Sequence, residues 1–99
     1  MKLRVLDAAE WEVSAAFDYY ESQSEGLGCR MTSEVREALA GILDYPEAHP
    51  IFDPAHRKRN LKKFPYGIFF RTDGEEVVFV AFFHLRSDPA KWWELLKVR

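Results

Sequence analysis

The stretch that decides the fold is Val77-Val78-Phe79-Val80-Ala81-Phe82-Phe83, the longest uninterrupted apolar run in the chain. A membrane-spanning helix needs about 20 apolar residues, so this run is far too short to cross a bilayer. Both of its alternating faces are apolar, which is typical of a central strand that other layers cover on each side.

The apolar run is predicted to lie in a strand over Glu76–His84. Three further strands are predicted around it. Residues Tyr66–Arg71 precede the turn Thr72-Asp73-Gly74, and an Asp-Gly pair suits a tight hairpin, so these two strands should pair antiparallel. Another strand is predicted over Asn60–Phe64, and a short one over Lys2–Leu6, where polar and apolar residues alternate. We therefore expect a small antiparallel sheet.

Helices are predicted to cover the sheet. Asp7 followed by Glu10 resembles an N-cap with a capping box, and it begins a helix that runs to about Ser22. Gly26-Leu27-Gly28 interrupts the pattern, and apolar residues at helical spacing then continue to about Tyr45. The two segments form an antiparallel helical hairpin against one side of the sheet.

The rest of the chain is a loop and a short terminal helix. Three prolines, Pro46, Pro50 and Pro54, exclude a helix interior or a central strand between the hairpin and the sheet. Pro89 begins the terminal helix. The prediction is an α+β fold with one domain over residues 1–99. The loop carries His49, Phe52 and His56, and the terminal helix carries Trp92, Trp93 and Leu96.

Length and composition exclude several classes of protein. Ninety-nine residues of 11.6 kDa suit a single core, and 47% hydrophobic residues exclude global disorder. The only cysteine, Cys29, cannot form an internal disulfide or a cysteine-rich zinc site. Met1-Lys2-Leu3-Arg4 does not resemble a signal peptide, so we expect a cytoplasmic protein that does not act in a membrane.

The charge is distributed unevenly although the net charge is only −2. Residues 1–50 hold 4 Lys/Arg and 10 Asp/Glu, a net of −6, whereas residues 51–99 hold 10 and 6, a net of +4. The cations of this second half concentrate in a basic run, defined here as Arg57, Lys58, Arg59, Lys62 and Lys63. Such a run could be a solvated edge strand, or it could bind nucleic-acid phosphates or an acidic partner.

Few other residues suggest chemistry. His84 and Arg86 come where the apolar strand ends, and a histidine and an arginine there could move a proton and stabilise phosphate charge during RNA cleavage. The alternatives are a hydrogen-bonded strand histidine and a surface ion pair between Arg86 and Asp88. His49 and His56 lack a metal-ligand spacing, so we assign no metal. Four helix carboxylates are interpreted as solvated surface: Glu10, Glu12, Glu34 and Glu37.

The order of these elements and several phrases resemble the RelE/ParE superfamily of bacterial toxins. The resemblance covers nearly the whole chain. It rests on Tyr19-Tyr20-Glu21, Gly26-Leu27-Gly28, Glu34-Val35, Ala38-Leu39 and Pro46, and above all on Leu61-Lys62-Lys63-Phe64-Pro65-Tyr66-Gly67-Ile68-Phe69-Phe70 followed by His84-Leu85-Arg86-Ser87-Asp88-Pro89 and Trp92.

The resemblance implies the toxin of a type II toxin–antitoxin, or plasmid stabilisation, module, with a helical hairpin on a small antiparallel sheet. RelE-like members cut messenger RNA in the ribosome without a metal, whereas ParE-like members inhibit DNA gyrase. The implied partner is a cognate antitoxin in a hetero-oligomer, and no cofactor is implied. A toxin-fold binding domain without toxicity is a further alternative.

Individual positions favour the ParE-like branch. RelE-like nucleases typically carry an arginine after the tyrosine that opens the middle strand, whereas here Gly67 follows Tyr66. In the RelE-like nucleases a tyrosine or an equivalent residue in the terminal helix often assists proton transfer. The indole of Trp92 here has no acidic proton suited to that role. Arg86 matches the arginine at the end of the last strand. A RelE-like mechanism would assign catalysis to Arg86, His84 and Lys62, and binding of an antitoxin or a nucleic acid is assigned to the basic run and Trp92.

Overall fold

A computed structural model describes residues 1–99 as three helices, a 3₁₀ turn and four strands. The predicted α+β class and the order of its elements are confirmed. The elements are β1 (Lys2–Val5), α1 (Asp7–Gln23), α2 (Leu27–Asp44), the 3₁₀ turn (Pro46–Ala48), β2 (Arg57–Asn60), β3 (Tyr66–Asp73), β4 (Glu76–His84) and α3 (Pro89–Val98).

The apolar run lies at the centre of the sheet, as predicted, because β4 pairs with both β1 and β3 in the order β1-β4-β3-β2. The prediction of a wholly antiparallel sheet is wrong, since β1 pairs parallel to β4 from Lys2↔Glu76 to Val5↔Phe79. Alternation predicts a strand with one buried face, but all four residues of β1 are exposed. Alternation also carries no information about the direction of the neighbouring strand.

A β-bulge at Val80 divides the apolar run between two cores. Phe69 pairs with Ala81 while Phe70 pairs with Phe79, so Val80 is an extra residue in β4. Val80 and Ala81 consequently both belong to the core under α3. The bulge shifts the alternation by one residue, and it turns Phe82 towards the helical hairpin, where it lies close to Phe79.

The two cores lie on opposite faces of the sheet. The helix-side core joins the hairpin to one face through residues such as Met31, Ile42 and Phe70. The α3-side core joins the other face to Trp92 and Leu96 of α3. Each of Val77 to Phe83 is at most 6% exposed, so β4 is buried on both faces.

Two predicted boundaries are wrong for physical reasons. The strand expected over Asn60–Phe64 is instead Arg57–Asn60. The following turn buries both Leu61 and Phe64 in the helix-side core, which regular alternation cannot do. Asp7 lies inside α1, whose N-cap is Leu6 and has no side-chain cap.

Two of the four glutamates expected on the solvated helix surface instead bind backbone. The Glu34 carboxylate on α2 accepts the N–H groups of Lys62 and Lys63, the latter at 3.1 Å, and so closes the turn after β2. Glu12 on α1 accepts the Phe82 N–H at 3.0 Å. These carboxylates are therefore part of the fold, because they satisfy backbone donors that no strand reaches.

An edge cap, defined here as Glu12 and Arg99 together with the Phe82 N–H and the Val80 C=O, closes β4 where β1 ends. Strand β1 pairs only as far as Phe79, so the bulged backbone beyond it has no strand neighbour on that side. Arg99 donates two hydrogen bonds of 2.9 Å to the Glu12 carboxylate and one of 3.2 Å to the Val80 C=O. The Arg99 and Glu12 side chains are 14% and 18% exposed, so solvent screens the pair only weakly.

Glu12→Ala should lower the free energy of unfolding by about 1–3 kcal/mol, because it removes the acceptor of the Phe82 N–H and the carboxylate partner of the Arg99 guanidinium. Glu12→Gln keeps an oxygen for Phe82 and should cost less. The matched control is Asp18→Ala, an exposed acid on the same helix, which should change stability by at most about 0.5 kcal/mol. Urea unfolding followed by tryptophan fluorescence measures all three. Equal stability of Glu12→Ala and Asp18→Ala would contradict this role.

Candidate functional site

The sheet divides the basic run between its two faces. Arg57 and Arg59 pair with Phe70 and Ile68, which face the helical hairpin, whereas Lys58 pairs with Phe69, which faces α3. Consecutive strand residues point to opposite faces. The run is therefore not one continuous cationic patch, although it is uninterrupted in the sequence.

The two arginines of β2 are held by backbone carbonyls. Arg57 Nη1 donates to the His49 C=O at 2.7 Å and to the Glu47 C=O at 3.3 Å. Arg59 Nη1 donates to the Ala38 C=O of α2 at 3.4 Å and lies 3.4 Å from His49 Nε2. Gly41 makes room for this guanidinium, since a Cβ there would collide with Arg59 Nη1. These hydrogen bonds of both arginines thus connect β2 to α2 and to the segment that follows it.

Lys58 lies on the other face against aromatic rings. Its Nζ is 5.7 Å from the ring centroid of Trp92 and 5.9 Å from that of Phe69, distances at which a cation and a ring attract each other. Trp92 is only 7% exposed and belongs to the α3-side core. The exposed tryptophan of α3 is instead Trp93, which packs on Phe52 at 4.7 Å between centroids.

Gly67 lies under three side chains on the α3 side of the sheet. A Cβ at this position would meet Asn60 Oδ1 at 3.1 Å, Leu85 Cδ2 at 3.3 Å and Lys58 Cδ at 3.4 Å. A larger side chain at position 67 would require the Asn60 and Leu85 side chains to shift slightly, whereas the Lys58 distance is an ordinary van der Waals contact. Side chains from β2 and from the turn after β4 therefore border the position that follows Tyr66.

The turn after β4 orients His84 and Arg86. The Arg86 N–H donates to His84 Nδ1 at 3.1 Å, so Nδ1 is the unprotonated nitrogen and a neutral ring carries its proton on Nε2. Ser87 Oγ donates to the His84 C=O at 2.6 Å and accepts from Trp92 Nε1 at 2.8 Å. The histidine is thus a structural acceptor within this turn.

The Arg86 guanidinium is exposed and forms no ion pair. The expected surface pair with Asp88 is absent, because Asp88 instead caps α3 by accepting the Ala90 N–H at 3.0 Å. Arg86 is therefore a free cation held on a well-bonded turn, and it can accept an anionic group from outside the molecule.

Tyr66 lies beside His84, with 5.0 Å between ring centroids, and it stacks on Phe82 at 4.6 Å. Burial raises the pKa of Tyr66 above 10.0, and the neighbouring Tyr20 and Tyr19 raise it further. Burial, with a further contribution from Tyr19, also raises the pKa of Tyr20. Both phenols keep their protons at neutral pH and are poorly suited to act as general bases.

Lys62 and Lys63 lie on the helix side, in the turn that Glu34 closes. Their exposed side chains line a groove of about 1040 Å³ between α2 and the turn, and Arg59 also reaches it. His84 and Arg86 do not line this groove. Lys62 therefore lines this groove, whereas His84 and Arg86 belong to the adjoining turn, which is joined to Pro65 of the groove by the Leu85 N–H at 2.8 Å.

The loop before β2 is organised by Asp53 and His56. Asp53 Oδ1 accepts the backbone N–H groups of Ala55 and His56 at 2.8 and 2.7 Å, and the carboxylate is also 2.9 Å from His56 Nδ1. His56 is 7% exposed, and its Nε2 has no hydrogen-bond partner. Burial by itself would raise the pKa of Asp53, but the His56 side chain and the backbone N–H groups outweigh burial and lower it. The loop places Phe52 against Phe69 and Trp93.

Neither a cluster of metal-ligating side chains nor a membrane-spanning helix is found. No group of three or more His, Cys, Asp or Glu side chains is arranged to hold a metal ion. None of the helices combines the length and the apolar character that crossing a membrane requires.

Comparison with solved structures confirms the resemblance at the level of the fold. A chain of the chromosomal ParDE TA system from P. aeruginosa superposes with a TM-score of 0.77 at 18% identity, covering 87% of this chain and 97% of that one. The isolated E. coli RelE toxin superposes with a TM-score of 0.64 at 16% identity, covering 99% and 98% of the two chains. No protein-family profile and no curated protein sequence matches the chain. The protein therefore has the fold of the RelE/ParE toxins.

The contact of Arg59 with Gly41 can be tested with a double-mutant cycle. Gly41→Ala should stabilise α2 by about 0.5–1 kcal/mol in an Arg59→Ala background, since alanine favours the helix more than glycine does. In the wild-type background the gain should be smaller or reversed, because the new methyl group displaces the guanidinium. Urea unfolding of the four proteins gives the coupling. Additive effects would show that Arg59 does not depend on the space at Gly41.

The lowered pKa of Asp53 makes its contribution to stability depend on pH. A carboxyl with a lowered folded-state pKa stabilises the fold above its unfolded-state pKa, and the contribution is lost as pH falls through the folded-state pKa. Wild type should thus be more stable than Asp53→Asn at neutral pH, and the difference should shrink below the ordinary value of 3.8. Unfolding by urea at a series of pH values measures it. A difference that persists undiminished at pH ~2 would contradict the ionic role.

Proposed function

We propose that this protein is the toxin of a bacterial toxin–antitoxin system, of the ParE-like kind, that it inhibits DNA gyrase and that a cognate antitoxin neutralises it. The observation that carries the proposal is the shared fold, which extends over 87% of the chain in one neighbour and 99% in the other. The first of these neighbours belongs to a ParDE TA system, and the second is a RelE toxin.

The crowding over Gly67 supports the ParE-like alternative. The resemblance places an arginine at this position in the RelE-like nucleases, where it would add positive charge to the substrate site. Here Asn60, Leu85 and the stem of Lys58 lie 3.1–3.4 Å from where a Cβ would be. A side chain at this position would require the Asn60 and Leu85 side chains to shift.

The hydrogen bonds around α3 also disfavour acid–base catalysis. The Trp92 indole is buried and donates to Ser87 Oγ at 2.8 Å, so its N–H is already used. His84 Nδ1 accepts from the Arg86 backbone, and protonating this nitrogen would break that bond. Lys62 lies in the helix-side groove, whose lining residues do not include His84 or Arg86. These hydrogen bonds make Trp92 and His84 less suited to act as general acid and base.

Arg86 is the observation that favours a second candidate, the ribosome-dependent messenger RNA endonuclease of the RelE-like kind. Its guanidinium is exposed and unpaired at the end of β4. A free arginine on a rigid turn can stabilise the negative charge that develops on a phosphate during cleavage. An arginine there could equally contact a protein target.

Induced expression of the chain in a bacterial culture should arrest growth and switch on a DNA-damage reporter, because blocked gyrase leaves broken DNA. Arg86→Ala tests the exposed cation, and Lys91→Ala, which removes an exposed cation from α3, is the matched control. We expect the control to arrest growth like wild type. Arrest with the reporter off would favour the nuclease. Soluble protein without arrest would contradict a toxin and leave a toxin-fold binding domain.

Purified protein separates the two targets directly. It should inhibit supercoiling of plasmid DNA by gyrase and should leave messenger RNA intact in a translating ribosome assay. Ribosome-dependent cleavage that Arg86→Ala abolishes would overturn the gyrase proposal in favour of the second candidate.

A further inference from the structure

Helix α1 presents an aromatic and acidic face that no other part of the chain covers. This outer face of α1 is defined here as Asp7, Trp11, Ala15, Asp18 and Tyr19, which share one side of the helix because they are spaced three, four or seven residues apart. Trp11 is 72% exposed and Tyr19 is 57% exposed, and the other three residues are exposed as well. Two large aromatic side chains exposed on one side of one helix are typical of a contact surface.

The opposite side of α1 is the one that attaches the helix to the sheet. Ala9 and Ala16 are 0% and 5% exposed in the helix-side core, and Val13 and Phe17 pack against it. The outer face is also separate from the groove between α2 and the turn after β2, since none of its five residues lines that groove. The fold therefore does not require the two aromatic rings of the outer face.

The charge of α1 is entirely negative. The helix has five carboxylates and neither lysine nor arginine. Glu12 and Glu21 accept hydrogen bonds from elsewhere in the chain. Asp7 and Asp18 on the outer face and Glu10 beside it are exposed and form no ion pair. Three free carboxylates thus lie on or next to the aromatic face, and no cation of the same helix offsets them.

This combination of groups favours a partner with positive charge. Guanidinium and ammonium groups bind carboxylates, and they are also attracted to the face of a tryptophan or tyrosine ring. Asp7 lies one turn before Trp11 and Asp18 lies two turns after it, so arginine or lysine side chains of a partner can contact both kinds of group. The carboxylates repel the phosphates of a nucleic acid or an anionic membrane. A second copy of the chain is also disfavoured, because two α1 helices would oppose like charges.

We propose that the outer face of α1 docks on a cationic surface of a partner protein, whose arginine and lysine side chains contact Asp7, Asp18 and the rings of Trp11 and Tyr19. Under the proposed function, on which this identification rests, the partner is the gyrase target. An enzyme that acts on DNA carries lysine and arginine on its surface to bind phosphates, and such a surface is complementary in charge to the outer face. The outer face then supplies the contact that brings the toxin to its target.

The charge preference is tested with a fluorescein-labelled two-heptad peptide in which leucine forms one face and arginine the other, and binding is followed by fluorescence anisotropy. The full chain should bind this peptide, and replacing its arginines by glutamine should weaken binding by about tenfold or more. Trp11→Ala with Asp18→Lys should weaken binding by a similar factor, because it removes one ring and reverses one charge of the outer face.

The matched control is Tyr45→Ala with Asp44→Lys. Tyr45 is 73% exposed and Asp44 is an exposed acid beside it at the end of α2, so this variant loses an equally exposed ring and has the same change of net charge. It should bind the arginine peptide like wild type. Circular dichroism and thermal unfolding verify that each variant is folded.

The same proteins are then compared as inhibitors of supercoiling by purified gyrase. Wild type and the control should inhibit at the same concentration, whereas Trp11→Ala with Asp18→Lys should require about tenfold more protein. Trp11→Phe keeps an aromatic ring and should inhibit nearly as well as wild type.

Three results would overturn the docking proposal. The first is equal binding of the arginine and glutamine peptides, and the second is equal weakening by the two double variants. The third is self-association in sedimentation velocity experiments that Trp11→Ala abolishes, since it would assign the outer face to a second copy of the chain.

Failure of the docking proposal is distinct from failure of the proposed function. If both double variants inhibit gyrase as strongly as wild type, the outer face is not the docking surface, although the chain is still a gyrase inhibitor. If wild type leaves gyrase active but binds the arginine peptide through Trp11 and Asp18, the proposed function fails, and the outer face remains a site for a different basic protein.

Discussion

The burial of β4 on both faces is the constraint on which the rest of the structure depends. In a chain of 99 residues, a strand whose seven central residues are at most 6% exposed needs a covering layer on each side. The helical hairpin supplies one layer, and α3 with the loop residue Phe52 supplies the other. The bulge at Val80 divides the aromatic side chains between the two layers, because it sends Phe82 to the hairpin and Phe83 to α3.

Carboxylates from the acidic half of the chain accept hydrogen bonds from backbone N–H groups that have no partner in a strand or a helix. Glu12 accepts a β4 N–H where β1 has ended, and Glu34 accepts two in the turn after β2. Glu21 accepts the Gly26 and Gly28 N–H groups between the two helices. Charged acceptors make stronger hydrogen bonds than neutral ones. The acidity of the first half is thus partly structural, which leaves cations of the second half unpaired and available to partners.

The arrangement of the sheet also determines which charged side chains remain exposed. Strand alternation separates Lys58 from Arg57 and Arg59, and only Lys62 and Lys63 of the basic run stay exposed in a groove. Trp92 and His84 are engaged in hydrogen bonds with the turn between β4 and α3, whereas the Arg86 side chain is free. Residues that are neighbours in the sequence therefore have different roles. The fold is shared with chains from a ParDE system and a RelE toxin.

The sequence by itself determined the α+β class, the order of the elements, the central strand and the hairpin, because side-chain periodicity and turn residues act over a few neighbouring positions. It also located the cations and the arginine after β4. Only the tertiary structure decided the parallel pairing of β1, the bulge, the start of β2 at Arg57 and which cations remain free. The reason is distance along the chain. Glu12 and Arg99 are 87 residues apart, and Glu34 and Lys62 are 28 apart. No local pattern of residues encodes a contact at such a separation, since it forms only when the sheet and its two layers pack together.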